Sequence, residues 1–238
     1  MTSPASAAQA SYTVPPEVLA EFESNRWTAS LLRSPAYTPV KTSSRSTKRQ
    51  SGEDAFFADT LGTPSTIPHL LTLRKNNPSA PPSIPPSLPA PPGRPPVPNT
   101  QPELISLLKL GTPGISGHPS TAHGGVLATL LDEIMSLAVG VQIPGYDENA
   151  AQERGRIYTM QLDVRFHKPV FVPALAVVKA WVLARDGRKF WMMGQVLQED
   201  GLFEDGGEGK GGSIEAVRKK VVCAEAVGFW IQKRADKL

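Results

Sequence analysis

Hydrophobic residues recur with two periods along this chain, and the switch between them marks out its elements. The longest helical pattern is Thr121–Val139. After its opening Gly124-Gly125 it has neither glycine nor proline, and Val126, Leu127, Leu130, Leu131, Ile134, Met135 and Leu137–Val139 are all apolar. The polar Thr129, Asp132, Glu133 and Ser136 stand at i, i+3, i+4 and i+7, so they share one narrow stripe. A helix this apolar is expected to be buried, and a carboxylate on its stripe needs a partner, a wet cleft or a function. Strict alternation predicts strands elsewhere. Over Arg156–Lys168 it assigns Tyr158, Met160, Leu162, Val164 and Phe166 to one face, and Thr159, Gln161, Asp163, Arg165 and His167 to the other. Ala174–Ala184 and Phe190–Leu197 flank Asp186-Gly-Arg-Lys189, whose Asp-Gly is a hairpin signal. Ile67–Arg74 and Glu103–Leu110 read as earlier strands and Lys220–Ile231 as the last. One helix among antiparallel strands predicts an α+β fold, with the sheet curled around the helix.

The remaining segments read as connections. Residues 1–52, rich in Ser, Ala, Thr and Pro, are expected to be a flexible extension with one short helix near Glu17–Leu32. Within it, Lys41–Arg49 is basic; a solvated tether is the favoured reading over a dock for an anionic partner. Glu53–Leu61, with Phe56 and Phe57, is expected to pack as a short helix on a domain spanning 53–238. Pro78–Pro102 holds 12 of the 24 prolines, too many for helix or sheet, and reads as an extended insertion. Its Pro82–Pro85 and Pro92–Pro95 spacings suit SH3 or WW modules, although a loop without a partner is preferred. Gly201–Gly212 reads as a flexible link.

Composition narrows the class. The 238 residues carry a mild net charge of +3, and the basic residues form no patch interleaved with aromatics, so nucleic acid is not expected as a partner. Cys223 is the single cysteine, which fits a reducing compartment and reads as core rather than nucleophile. No membrane span is expected, and the first 20 residues have no signal-peptide pattern. A cytoplasmic location is therefore expected, with the mitochondrion as the alternative. No HExxH or Cys/His cluster occurs, so no metal site is expected. No G-x-S-x-G elbow appears, and Gly206–Ser213 lacks the Ser or Thr that a P-loop needs after Lys210.

The chemistry concentrates at the helix. Two glycines after His123 let a ligand approach the backbone, and the N–H groups of a helix start attract developing negative charge. Those are the requirements of an oxyanion hole. Asp132 lies eight residues beyond Gly124, which is roughly 12 Å along the axis. A reacting carbonyl cannot sit beside both groups of one chain, so cooperation between them requires two subunits. Glu133 is an alternative base, about 100° further round. His123 reads as a structural hydrogen-bonder in preference to an acid–base group. Arg188 and Lys189, at the hairpin tip, are candidates for holding substrate phosphates, against an ordinary soluble turn.

Gly117-His-Pro119 followed by His123-Gly-Gly-Val-Leu-Ala-Thr-Leu-Leu-Asp132 resembles the hotdog-fold acyl-CoA thioesterases. It is most similar to the branch with phenylacetyl-CoA-type and human THEM-type enzymes and fungal relatives. The resemblance spans about Phe56 to Ile231. It implies a hotdog fold, a curved antiparallel sheet wrapped around one long central helix, and hydrolysis of an acyl-CoA or carrier-bound acyl thioester. It also implies a homodimer or dimer of dimers, with no cofactor beyond the coenzyme A of the substrate. In roles, Asp132 matches the family's general base or nucleophile, Gly124 the N–H that binds the thioester oxygen, and Thr159 the residue that holds water. His123 matches the turn-shaping histidine, and Gly125 adjoins the substrate. Some relatives carry an Asn where this chain has Gly117-His118. The competing readings are a non-catalytic hotdog scaffold using the Pro-rich insert, and a hotdog hydratase or dehydratase; the Asp-x(4)-His pair of the latter is missing.

Overall fold

The computed structural model describes residues 12–78, 80–87, 97–146, 148–149, 156–200 and 219–233. Helices α1 (Pro16–Glu23) and α2 (Arg26–Leu32) come first, then strands β1 (Tyr37–Val40), β2 (His69–Lys75), β3 (Leu104–Leu110), β4 (Ser116–His118) and β5 (Thr121–Ala122). The long helix α3 (Gly124–Val141) follows, then β6 (Ile157–Phe166), β7 (Ala174–Asp186), β8 (Lys189–Glu199) and β9 (Lys220–Gln232). Seven strands form one antiparallel sheet in the order β1-β2-β3-β7-β8-β9-β6, and β4-β5 make a small hairpin. The sheet curves around α3, the hotdog-type α+β arrangement expected from the pattern. Leu130, Leu131, Ile134, Met135, Ala138 and Val139 of α3 are fully enclosed among inward side chains of the sheet such as Leu108, Val178, Phe190, Met192 and Trp230. By length and mean hydropathy (1.6 over 18 residues), α3 is apolar enough to cross a bilayer. Here it is the core around which the sheet closes.

The N-terminal region departs from the expected tether. Residues 16–40 form two helices and the edge strand β1, paired with β2 from Tyr37↔Lys75 to Val40↔Thr72. Instead of one helix near Glu17–Leu32 there are two, because Asn25 interrupts: its Oδ1 accepts from the Trp27 and Thr28 N–H groups and starts α2 afresh. The apolar faces of these helices cover the convex side of the sheet, with Phe22 fully buried against Leu71, Leu73, Ile105, Leu107 and Val177. Lys41–Arg49 is folded too, around a 3₁₀ turn at Ser43–Arg45. Phe56–Thr60 is a short π-helical turn that buries Phe57 and leaves Phe56 outside.

The described parts of the Pro-rich insert are neither helix nor strand. They are pinned at two points: the Arg185 N–H donates to the Pro82 carbonyl (2.8 Å), and Trp181 Nε1 to the Thr100 carbonyl (2.9 Å). Pro92–Pro95 and the link 201–212 lie outside the described residues. The β7–β8 hairpin closes on a two-residue loop, Gly187-Arg188, with Gly187 at φ +56°, as a glycine-first turn requires. Cys223 is buried in the core, where desolvation pushes its thiol up.

Two sheet glycines sit under close packing. A Cβ on Gly228 would meet the Trp230 ring at 2.6 Å and the Gln161 carbonyl oxygen at 2.9 Å. A Cβ on Gly194 would meet the Met135 sulfur at 2.6 Å, which is the end of a flexible side chain. Gly228→Ala is therefore expected to lose about 1–3 kcal/mol, and Gly194→Ala less. Denaturant midpoints check this; equal losses would contradict the packing described.

Candidate active site

His123 ends β5 and caps α3. Its backbone is extended (φ −65°, ψ 136°), and its Nδ1 accepts from the Gly125 N–H at 2.9 Å. That bond assigns the proton to Nε2 and makes the histidine a cap, as the structural reading expected. The β4–β5 hairpin fixes its position, since a Cβ on Gly117 would stand 2.9 Å from His123 Cα and 3.1 Å from its ring. The glycine of Gly117-His-Pro119 is thus the seat of the cap. With the Gly125 N–H committed and the Val126 N–H bonded to the His123 carbonyl, the Gly124 N–H has no acceptor among the described residues. The helix start presents a single open donor.

Asp132 lies two turns on, half-buried, and Thr159 Oγ1 donates to its Oδ1 at 2.8 Å. Strict alternation would have turned Thr159 away from Leu162 and Val164. A β-bulge removes that conflict. Thr159 pairs with Trp230 but Gln161 pairs with Phe229, so Met160 is an extra residue, and the parity of β6 reverses there. Thr159 consequently shares the helix-facing side with Leu162, Val164 and Phe166. The bulge therefore brings Thr159 to Asp132 within one chain.

Burial raises the Asp132 carboxyl above the ordinary Asp range, and the Thr159 hydroxyl partly offsets this by stabilising the carboxylate. If Asp132 acts as a base, activity is lost as pH falls through this raised value, so the acidic limb of kcat/KM should lie above an ordinary Asp limb. Thr159→Val removes the lowering contact and should move the limb further up, a shift that a pH–rate profile reads directly. A limb that moves down would contradict the Asp132–Thr159 pairing.

Glu133 is half-buried on the neighbouring face, and Thr159 donates to Asp132 rather than to it. Arg188 and Lys189 sit at the far end of the sheet, where Arg188 Nη1 donates to the Gln232 carbonyl at 2.7 Å. Lys189 pairs with Ile231, which pairs with Tyr158 of β6, so the hairpin tip lies two strands from the β6 edge at the level of Tyr158. It does not touch Asp132. Pattern reading passed over Phe166 and Trp230. Phe166, 56% exposed, places its ring edge 3.6 Å from where a Gly124 Cβ would be, so it walls the open donor. Trp230, opposite Thr159, is fully buried and backs the bulge. No spacing rule distinguishes either from an ordinary strand aromatic.

β6 ends the sheet, and no strand among the described residues pairs with its outer edge. Tyr158 and Met160 on it are 48% and 59% exposed. Asp132, Thr159 and Gly124 therefore all open toward an uncovered edge rather than into the core.

Residues 120–203 match the family model described as the thioesterase superfamily. An uncharacterised protein of Schizosaccharomyces pombe is 27% identical over 121 residues, 51% of this chain and 55% of that protein; the chain thus spans about half the length of this curated relative. Among solved structures, a Bacillus halodurans protein determined with CoA is similar at a TM-score of 0.38 and 22% identity, over 56% of this chain and 68% of that one. A Staphylococcus aureus acyl-CoA hydrolase in complex with butyryl coenzyme A, coenzyme A and coenzyme A disulfide is similar at 0.39 and 16%, over 53% and 63%. The matched segment holds the capped helix start, Asp132 and Thr159, so the likeness to the thioesterase superfamily falls on the candidate site of a hotdog-type fold.

Proposed function

We propose that the protein hydrolyses an acyl-CoA, or another acyl thioester, to the free acid and thiol at a site shared by two protomers. The Gly124 N–H of one protomer polarises the thioester carbonyl. Asp132 of the other takes a proton from water as the water oxygen bonds to the carbonyl carbon. The C–S bond then breaks, and the thiolate leaves with that proton. Thr159, donating to one oxygen of Asp132, holds the carboxylate so that its second oxygen meets the water. In this reading Arg188 and Lys189 bind the phosphates of the coenzyme A part.

The observation that carries this reading is the pairing of a half-buried, Thr-held carboxylate with an unpartnered helix-start N–H, both open at an unpaired strand edge. Their separation of roughly 12 Å on one helix requires the second protomer, and the exposed β6 edge is where it would join. Thiol release across a panel of short, long and aromatic acyl-CoAs, phenylacetyl-CoA included, tests the function and its branch together. Turnover with one class at least a hundredfold above the uncatalysed rate is expected; no turnover with any would overturn the reading.

A further inference from the structure

A second site emerges at the opposite edge of the sheet, about six strand spacings or roughly 30 Å from β6. β1 leaves β2 after Val40↔Thr72, so Pro68–Leu70 run on without a neighbour on that side. A cavity of about 230 Å³ fills the gap, lined by Tyr12, Val18, Lys41, Thr42, Arg45, Ser46, Pro68 and Leu70. Its wall carries two cations and no carboxylate.

The two cations differ in kind. Arg45 is built in: Nη1 donates to the carbonyls of Phe57 (3.0 Å) and Leu61 (3.3 Å), and Nη2 to that of Ile67 (2.7 Å). Its guanidinium also lies 6.0 Å from the centre of the Phe57 ring. Carbonyl dipoles hold this charge, no acid among the described residues pairs with it, and burial lowers its proton affinity. Lys41 contributes a backbone N–H to Asn149 Oδ1, while its ammonium has no partner among the described residues. Ser46 and Tyr12 belong to the same lining. Burial, and after it Glu17 from outside the lining, raises the Tyr12 phenol above its ordinary value. Uncompensated positive charge beside a cavity attracts an anion. Val18, Pro68 and Leu70 give the lining an apolar part that inorganic phosphate would leave in contact with nothing. One guanidinium largely spent on carbonyls and one free ammonium suit a single negative charge.

We infer that this cavity binds a small amphipathic monoanion, a carboxylate with a short apolar chain, its head between Lys41 and Arg45 and its chain against Val18, Pro68 and Leu70. The inference stands on the cavity itself and not on the reaction proposed for Asp132.

Calorimetric titration of the full-length protein with hexanoate tests it, with hexan-1-ol and inorganic phosphate as the uncharged and chainless controls. Saturable binding of hexanoate is expected, with both controls at least about fivefold weaker. Lys41→Gln, a change on an exposed side chain that should fold normally, is expected to weaken hexanoate about fivefold, the range of a partly exposed ion pair. Asp132→Asn should leave the binding unaltered. No saturable binding, phosphate binding as well as hexanoate, or an unaltered affinity in Lys41→Gln would each overturn the inference. So would loss of binding in Asp132→Asn, which would put the anion in the candidate active site instead.

Discussion

Asp132→Asn is expected to lower kcat by about 10²- to 10⁴-fold, the range of a lost general base. The protein should remain folded and associated. Asn has the same shape and can still accept from Thr159 Oγ1 through its amide oxygen, so the 2.8 Å contact has a substitute. Stability should not fall either. The folded Asp132 holds its proton to higher pH than a free Asp side chain. Whatever it contributes is therefore present below the unfolded pKa and is lost as pH rises through the folded value, so at pH 7 the ionised group opposes folding. A neutral Asn should leave the thermal midpoint at pH 7 unchanged or slightly raised. Thiol release and a melting curve on the same sample separate the two effects. Near wild-type turnover in a well-folded variant would remove Asp132 from the reaction.

Gly124→Pro is the complementary test at the other group. Gly124 is the first residue of α3, a position where proline fits a helix, and His123 before it is already extended as a residue preceding proline prefers. A Cβ at this position meets the Phe166 ring at ordinary van der Waals distance, 3.6 Å. The substitution thus deletes one N–H and little else. Loss of one oxyanion donor should lower kcat by about 10²- to 10³-fold. The larger consequence comes from mixing. In a dimer of one Gly124→Pro chain and one Asp132→Asn chain, one site combines the intact Gly124 with the intact Asp132, and the other site has neither. Random pairing makes about half the dimers mixed, so co-refolded chains should regain roughly a quarter of wild-type activity although each alone is nearly inactive. If both groups served one site within a chain, mixing would restore nothing.

Much of the frame could be read from periodicity. The helix around Asp132 and the six longer strands follow from apolar spacing, because a buried face repeats at 3.6 or 2 residues whatever surrounds it. The His123 cap follows from local chemistry, since an N-cap acts within three residues. The N-terminal helices were harder to see: their apolar positions are few, and they matter only against the convex face of a sheet formed 30 to 150 residues later. β1 is similar. Its four residues, Tyr37–Val40, include a proline and are strand only because β2 lies beside them.

By itself, then, the sequence determined the α+β class, the identity of the central helix, and the placing of an acid and a glycine-rich helix start too far apart to serve one chain. Local spacing suffices for each of these. Tertiary structure alone decided that the N-terminal helices and β1 pack onto the sheet, and that Thr159 faces Asp132. The second depends on one extra residue, Met160, in a ladder with β9, and a strand's alternation cannot register an insertion that exists only relative to its partner.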